Sequence, residues 1–190
     1  MNDTTEGGEL TRAQLEGRLL YSLIVAGKSA RFANEKVANL MRGKPRDVLP
    51  FAWLAELDAR GELEAELRRA RVGRYRTFVP ACRWLVSHPL DLRTVTPQEL
   101  EQCPGIGQKT ARFFVVWTRP HERYAVLDVH VLRWLRKLGH EAPKQTPHGR
   151  TYLELEALFL QLADKAGLTP RQLDFEIWRS ASTAANEAPQ

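Results

Sequence analysis

Cysteine is scarce in this chain of 190 residues, with only Cys82 and Cys103. Two cysteines cannot build a disulfide framework, a four-cysteine zinc site or a four-cysteine iron–sulfur cluster. No apolar run approaches the ~20 residues that a membrane-spanning helix needs. The opening MNDTTEGGEL lacks the apolar core of a secretory signal. β-Hairpin signals, internal repeats and low-complexity tracts are missing too. Charge of one sign is in short supply: 28 Lys and Arg stand against 23 Asp and Glu, a formal charge of +5. That excess suits a polyanionic partner without demanding one. With 43% hydrophobic and 27% charged residues, the composition is globular and not disordered. The expectation is a soluble, cytoplasmic protein that needs no membrane.

What is present reads as helix almost throughout. Thr11-Arg12-Ala13-Gln14 is a capping-box pattern, followed by Leu15, Leu19, Leu20, Leu23 and Ile24 at helical spacing. Gly27-Lys28-Ser29 interrupts, and a second periodic stretch runs through Phe32, Val37, Leu40 and Met41 to the break at Gly43-Lys44-Pro45. Shorter helical segments are expected over 51–57 and 63–67. A helix carrying Phe78, Cys82, Leu85 and Val86 then either begins near Pro80 or is kinked by it. Thr96-Pro97-Gln98-Glu99 sets a cap, a first-turn proline and a reciprocal glutamate in one tetrapeptide. Further helices are expected over 108–118, after Asp128 as far as Gly139, over 153–166, and after Thr169-Pro170-Arg171-Gln172 with Leu173, Ile177 and Trp178 inward. Residues 123–127 read as an extended connection and 140–149 as a loop. The fold class is all-α, with frayed tails at 1–8 and 185–190.

The informative segment is Cys103-Pro104-Gly105-Ile106-Gly107-Gln108-Lys109-Thr110-Ala111. Two glycines one residue apart between short helices permit a tight hairpin. The backbone N–H groups at the start of the second helix, together with its dipole, then favour an anion such as a DNA phosphate. Taken singly, Lys109 reads as a solvated lysine and Asp128 as a helix N-cap. They stand 19 residues apart, with Asp128-Val129-His130-Val131 at the far end. Gly27-Lys28-Ser29 is no phosphate-binding P-loop, because residue 22 is Ser and no strand precedes it.

Residues 100–111 with 124–139 resemble the helix–hairpin–helix DNA glycosylase superfamily, whose signature is P-G-[IV]-G-x-K-T-A followed by an aspartate in a D-x-H-V setting. The resemblance is strong over 97–140 and weaker back to Leu20. It implies one helical domain over 9–184 in two lobes, with the hairpin at 97–118 and the aspartate segment at 124–139, that flips a nucleotide from duplex DNA. It further implies backbone contacts from Gly105, Ile106, Gly107 and Thr110, phosphate contacts from Arg74, Arg76 and Arg112, and a DNA contact or packing role for His130. Lys28, Ser29 and Arg31 are expected at the base or co-substrate pocket. Hairpin carbonyls would hold at most a structural monovalent cation; no other cofactor or metal is implied, and a monomer is expected.

Two chemistries share this site. In a glycosylase with lyase activity, Lys109 attacks the sugar C1′ and Asp128 assists proton transfer and stabilises positive charge. The flanks Arg112-Phe113-Phe114, Ala125-Val126-Leu127, Pro143-Lys144-Gln145-Thr146-Pro147 and Leu173-Asp174-Phe175-Glu176-Ile177-Trp178 instead resemble the phage α-glutamyl/putrescinyl thymine pyrophosphorylases, which are amino-acid:DNA transferases. That resemblance implies transfer of an amino acid such as glycine onto an activated 5-hydroxymethyluracil in host cytoplasm. Asp128 would then be the base and Lys109 the cation for the departing phosphate. Of the two, the flanks favour the transferase. A non-catalytic DNA-binding module would need neither Lys109 nor Asp128.

Overall fold

Caps and apolar spacing decide where the helices begin. The computed structural model describes residues 9–186, and all regular secondary structure among them is helical. The chain runs α1 (Arg12–Val25), α2 (Ala30–Met41), α3 (Pro50–Ala59), α4 (Leu63–Arg69), α5 (Tyr75–Ser87), α6 (Pro97–Leu100), α7 (Gln108–Thr118), α8 (Val129–Lys137), α9 (Gly149–Lys165) and α10 (Pro170–Asn186). The all-α expectation holds. No helix among the described residues is long and apolar enough to cross a membrane. The tails at 1–8 and 187–190 lie outside the described residues, whereas 185 and 186 fall within α10.

The chain divides into two compact units. One comprises residues 1–95 and 103–105, the other 96–102 and 106–190. In the first, Thr11 closes a full capping box with Gln14 at the start of α1. Leu19, Leu20, Leu23 and Ile24 of α1, Leu40 of α2, Leu54 of α3, Leu67 of α4 and Phe78 of α5 are all buried. Leu49 supplies no side-chain cap to α3. The buried Glu16 does so instead, its Oε2 accepting from Phe51 N at 2.8 Å while Oε1 pairs with Arg12 at 2.9 Å. Helix α5 starts at Tyr75, so Pro80 sits in its interior and not at its head. The proline ring removes one ladder bond there, which an otherwise strongly amphipathic helix tolerates.

In the second unit, Thr96 and Glu99 form the expected capping box at α6. Thr169 and Gln172 exchange the same pair of bonds at α10. Leu127, Val131, Leu132 and Leu135 share a core with Tyr152, Leu155, Phe159 and Ala163 of α9 and Leu173 and Ile177 of α10. Two boundaries and faces differ from expectation. Helix α9 begins at Gly149, not Leu153, because Gln108 Oε1 accepts from Gly149 N at 2.6 Å and satisfies an amide that would otherwise lack a partner. Trp178 is 54% exposed and therefore not inward, since Leu173 and Ile177 already fill the buried face of α10.

Candidate active site

The hairpin sequence delivers Lys109 to the first turn of α7. Gly107 is the N-cap, with extended backbone and no side-chain cap bond. A Cβ at Gly107 would meet nothing within 4 Å, so the approach to the helix N-terminus is open. An 11-residue helix ending in uncapped N–H groups attracts anionic charge. Lys109 and Thr110 are half-buried beside it, and Ile106 is buried, so Ile106 can offer a ligand only its backbone. Gly105 does a different job. Its φ is +84°, and a Cβ there would overlap Thr77 Cγ2. Cys103 is buried next to it, its thiol directed at Ala81 O at 3.7 Å, and burial pushes that thiol up to about 12. It is a packing residue, not a nucleophile. To a monovalent cation the hairpin offers neutral backbone carbonyls, a donor type such an ion takes.

Asp128 caps α8. Its Oδ1 accepts from His130 N at 2.8 Å and from Val131 N at 2.9 Å. The segment that presents it, 123–127, carries no regular secondary structure, and Asp128 N donates back to Val126 O at 2.7 Å, so it has no neighbouring strand to pair with among the described residues. Side chains take its backbone groups instead. Glu156 Oε1 accepts from Ala125 N at 2.9 Å, Tyr152 donates to Ala125 O at 2.7 Å and accepts from Leu127 N at 3.3 Å, and Thr146 donates to Leu127 O at 3.0 Å. Buried backbone groups need such partners, and these fix the entry of the chain into α8.

The same network reaches α7. Arg112 is 1% exposed and donates through Nε to both oxygens of Glu156, at 2.8 and 3.0 Å, and through Nη1 to Glu101 at 2.6 Å. Burial works against its charge, but Glu156 and Glu101 outweigh that and hold the guanidinium more firmly charged than usual. The expectation that Arg112 touches DNA phosphates fails, because its donors are committed inside the protein. Its work is to tie the helix of Lys109 to Glu156, and through Glu156 to the backbone that carries Asp128.

The remaining expected residues are less constrained. Arg74 adopts a left-handed conformation (φ 45°) at the head of α5 and donates to Leu23 O, so its guanidinium braces the first unit. Arg76 is exposed on α5. Ser29 caps α2 by accepting from Phe32 N at 3.2 Å; Lys28 and Arg31 are exposed on either side, with Lys28 Nζ 5.7 Å from the centre of the Phe32 ring. His130 is half-buried and lines a cavity of about 350 Å³ between α8 and α10, with Arg133, Trp134, Lys137 and Glu176. Its Nδ1 is buried without a hydrogen-bond partner among the described residues.

Sequence reasoning left one carboxylate without a role. Asp174 of α10 is half-buried. Burial, and then the neighbouring charge of Asp128, raise its carboxyl to about 7 against the opposing pull of Lys109. Its only sequence signal is its place between Leu173 and Ile177, on a helix whose other acid, Glu176, is exposed.

A lysine in the first turn of one helix, an aspartate capping the next, and a glycine-bounded hairpin ahead of both define a helix–hairpin–helix arrangement suited to anionic substrates. Over 167 residues, 84% of this chain and 76% of the relative, the sequence is 27% identical to the 8-oxoguanine DNA glycosylase/AP lyase of Thermoplasma volcanium. To the protein of the same name from Picrophilus torridus it is 30% identical over 79 residues, 42% of this chain and 37% of that relative. Both relatives carry the name of an enzyme that acts on DNA. No family model matches the chain, and no solved structure matches it.

Proposed function

We propose that the protein is a base-excision DNA glycosylase with AP lyase activity, acting on duplex DNA that carries an oxidised purine such as 8-oxoguanine. The observation that carries this reading is the Lys109–Asp128 pair, held on α7 and α8 by the Arg112–Glu156–Ala125 chain of bonds. The names of the two similar proteins point the same way.

In this reading the open amides at the start of α7 receive a backbone phosphate, and the target nucleotide leaves the stack. The Lys109 amine attacks C1′, and the bond from C1′ to the base breaks with its electron pair on the base. Asp128 Oδ1 is engaged by two amides, so the carboxylate is oriented, and its negative charge stabilises the positive charge that develops at the sugar and at Lys109. Loss of a proton and opening of the sugar ring give a Schiff base, from which β-elimination cuts the strand.

The test is mass spectrometry on duplexes carrying 8-oxoguanine, uracil, thymine glycol or a 5-phosphorylated 5-hydroxymethyluracil, with and without an amino-acid pool. Loss of 8-oxoguanine independent of amino acids is the expected result. A gain in mass on the activated uracil strand that needs an amino acid would overturn it in favour of the transfer chemistry suggested by the flanking motifs. Duplex binding should also weaken steeply with added salt, as phosphate contacts release counterions.

A further inference from the structure

Asp174 stands at the reacting pair without being part of it. Leu127 and Leu173 are buried in one core cluster, and each is followed directly by a carboxylate, Asp128 and Asp174. Helix α10 packs on α8 through Leu173 and Ile177, and Asp174 lies near enough to Asp128 and Lys109 to feel both charges. The charged groups that face Asp174 are Asp128 at the head of α8 and Lys109 of α7. Helix α9, the other neighbour of α10, turns Tyr152, Leu155, Phe159 and Ala163 into the shared core. No Arg or Lys forms a salt bridge with Asp174 among the described residues. Half-burial beside a second carboxylate keeps the proton on Asp174 up to about pH 7. Asp128 Oδ1, by contrast, is already taken as an acceptor of two amide bonds.

We propose that Asp174 is a further catalytic residue, the acid that supplies a proton to the departing base. The inference rests on the glycosylase/lyase reading and assigns the one proton that reading leaves without a source. As the Lys109 amine bonds to C1′ and the bond to the base breaks, the electron pair goes to the base. The Asp174 proton passes to the base, which leaves neutral, and Asp174 becomes a carboxylate. The positive charge now on the Lys109 nitrogen is balanced by that new negative charge. Cleavage of a preformed abasic site involves no departing base and therefore no call on Asp174.

The two steps separate the roles. The full chain and its Asp174→Asn and Asp174→Glu variants are assayed on one duplex carrying 8-oxoguanine and on another carrying a preformed abasic site. Asp174→Asn is expected to slow base release by about 10²-fold, the usual contribution of a positioned acid. It should leave cleavage of the abasic duplex unchanged, and Asp174→Glu should recover part of the lost rate. Wild-type base release should fall as pH rises through 7, and the Asn variant should lack that fall. An Asn variant that releases base at the wild-type rate overturns the proposal, as does one that loses both steps equally, which would mark Asp174 as merely structural. A wild-type protein inert on both duplexes overturns the glycosylase reading itself, a result distinct from either.

Discussion

The two units of this molecule place their expected site residues in opposite settings, although both bury polar groups, Glu16 in the first and Arg112 and Glu156 in the second. In the second, Arg112, Glu156 and Tyr152 are all buried, and their hydrogen bonds converge on the few residues before Asp128. In the first, Lys28 and Arg31 are exposed on either side of Ser29, whose hydroxyl is committed as the N-cap of α2. A buried network fixes geometry whether or not substrate is present. Solvated charges contribute little until a ligand desolvates them. Reacting groups therefore belong with the network, and groups that merely attract a polyanion can stay outside it.

The sharpest way to break this comparison is Arg112→Met. It leaves Glu156 and Glu101 buried or half-buried without their cation, and is expected to cost about 3–5 kcal/mol of stability. Urea unfolding measures this, and a loss below about 1 kcal/mol would show that the network is no more than a solvated cluster. Gly105→Ala comes next. A left-handed φ and the close approach to Thr77 together should cost about 1–3 kcal/mol. Adding Thr77→Ser removes the methyl contact and should recover only part of the loss, because the backbone conformation stays unfavourable for alanine.

These effects also separate what a sequence can carry from what only packing creates. The three Thr-led capping boxes, the hairpin and the cap at Asp128 depend on neighbours within a few residues, and all stand at their expected positions. Arg112 defies its local context because its partners, Glu101 and Glu156, lie 11 and 44 residues away, and no local pattern marks an arginine for burial. The early start of α9 is hidden for the same reason, since its amide is met by Gln108, 41 residues back. Asp174 looks like any helical acid until the packing of α10 brings it to Asp128. Trp178 misleads in the other direction, an apolar side chain at a position that two aliphatic neighbours have already made redundant.

Two smaller effects refine the contrast. Tyr152→Phe removes the hydroxyl that serves Ala125 O and Leu127 N, and should cost about 1 kcal/mol or somewhat more. Base release should fall by more than that stability loss explains, because the lost bonds lie directly ahead of Asp128; equal effects would deny the network a positioning role. Lys28→Ala in the first unit should change stability by no more than about 0.5 kcal/mol. If Lys28 meets a phosphate, the slope of duplex affinity against salt should drop by about one. An unchanged slope would remove Lys28 from the interface.

The most direct measurement is covalent trapping. A duplex carrying 8-oxoguanine is incubated with the protein in borohydride, and the cross-linked peptide is mapped by mass spectrometry. The expected result is a reduced adduct on Lys109 that is absent from Lys109→Ala. Base release without any adduct, or an adduct on another lysine, would contradict the nucleophilic role of Lys109.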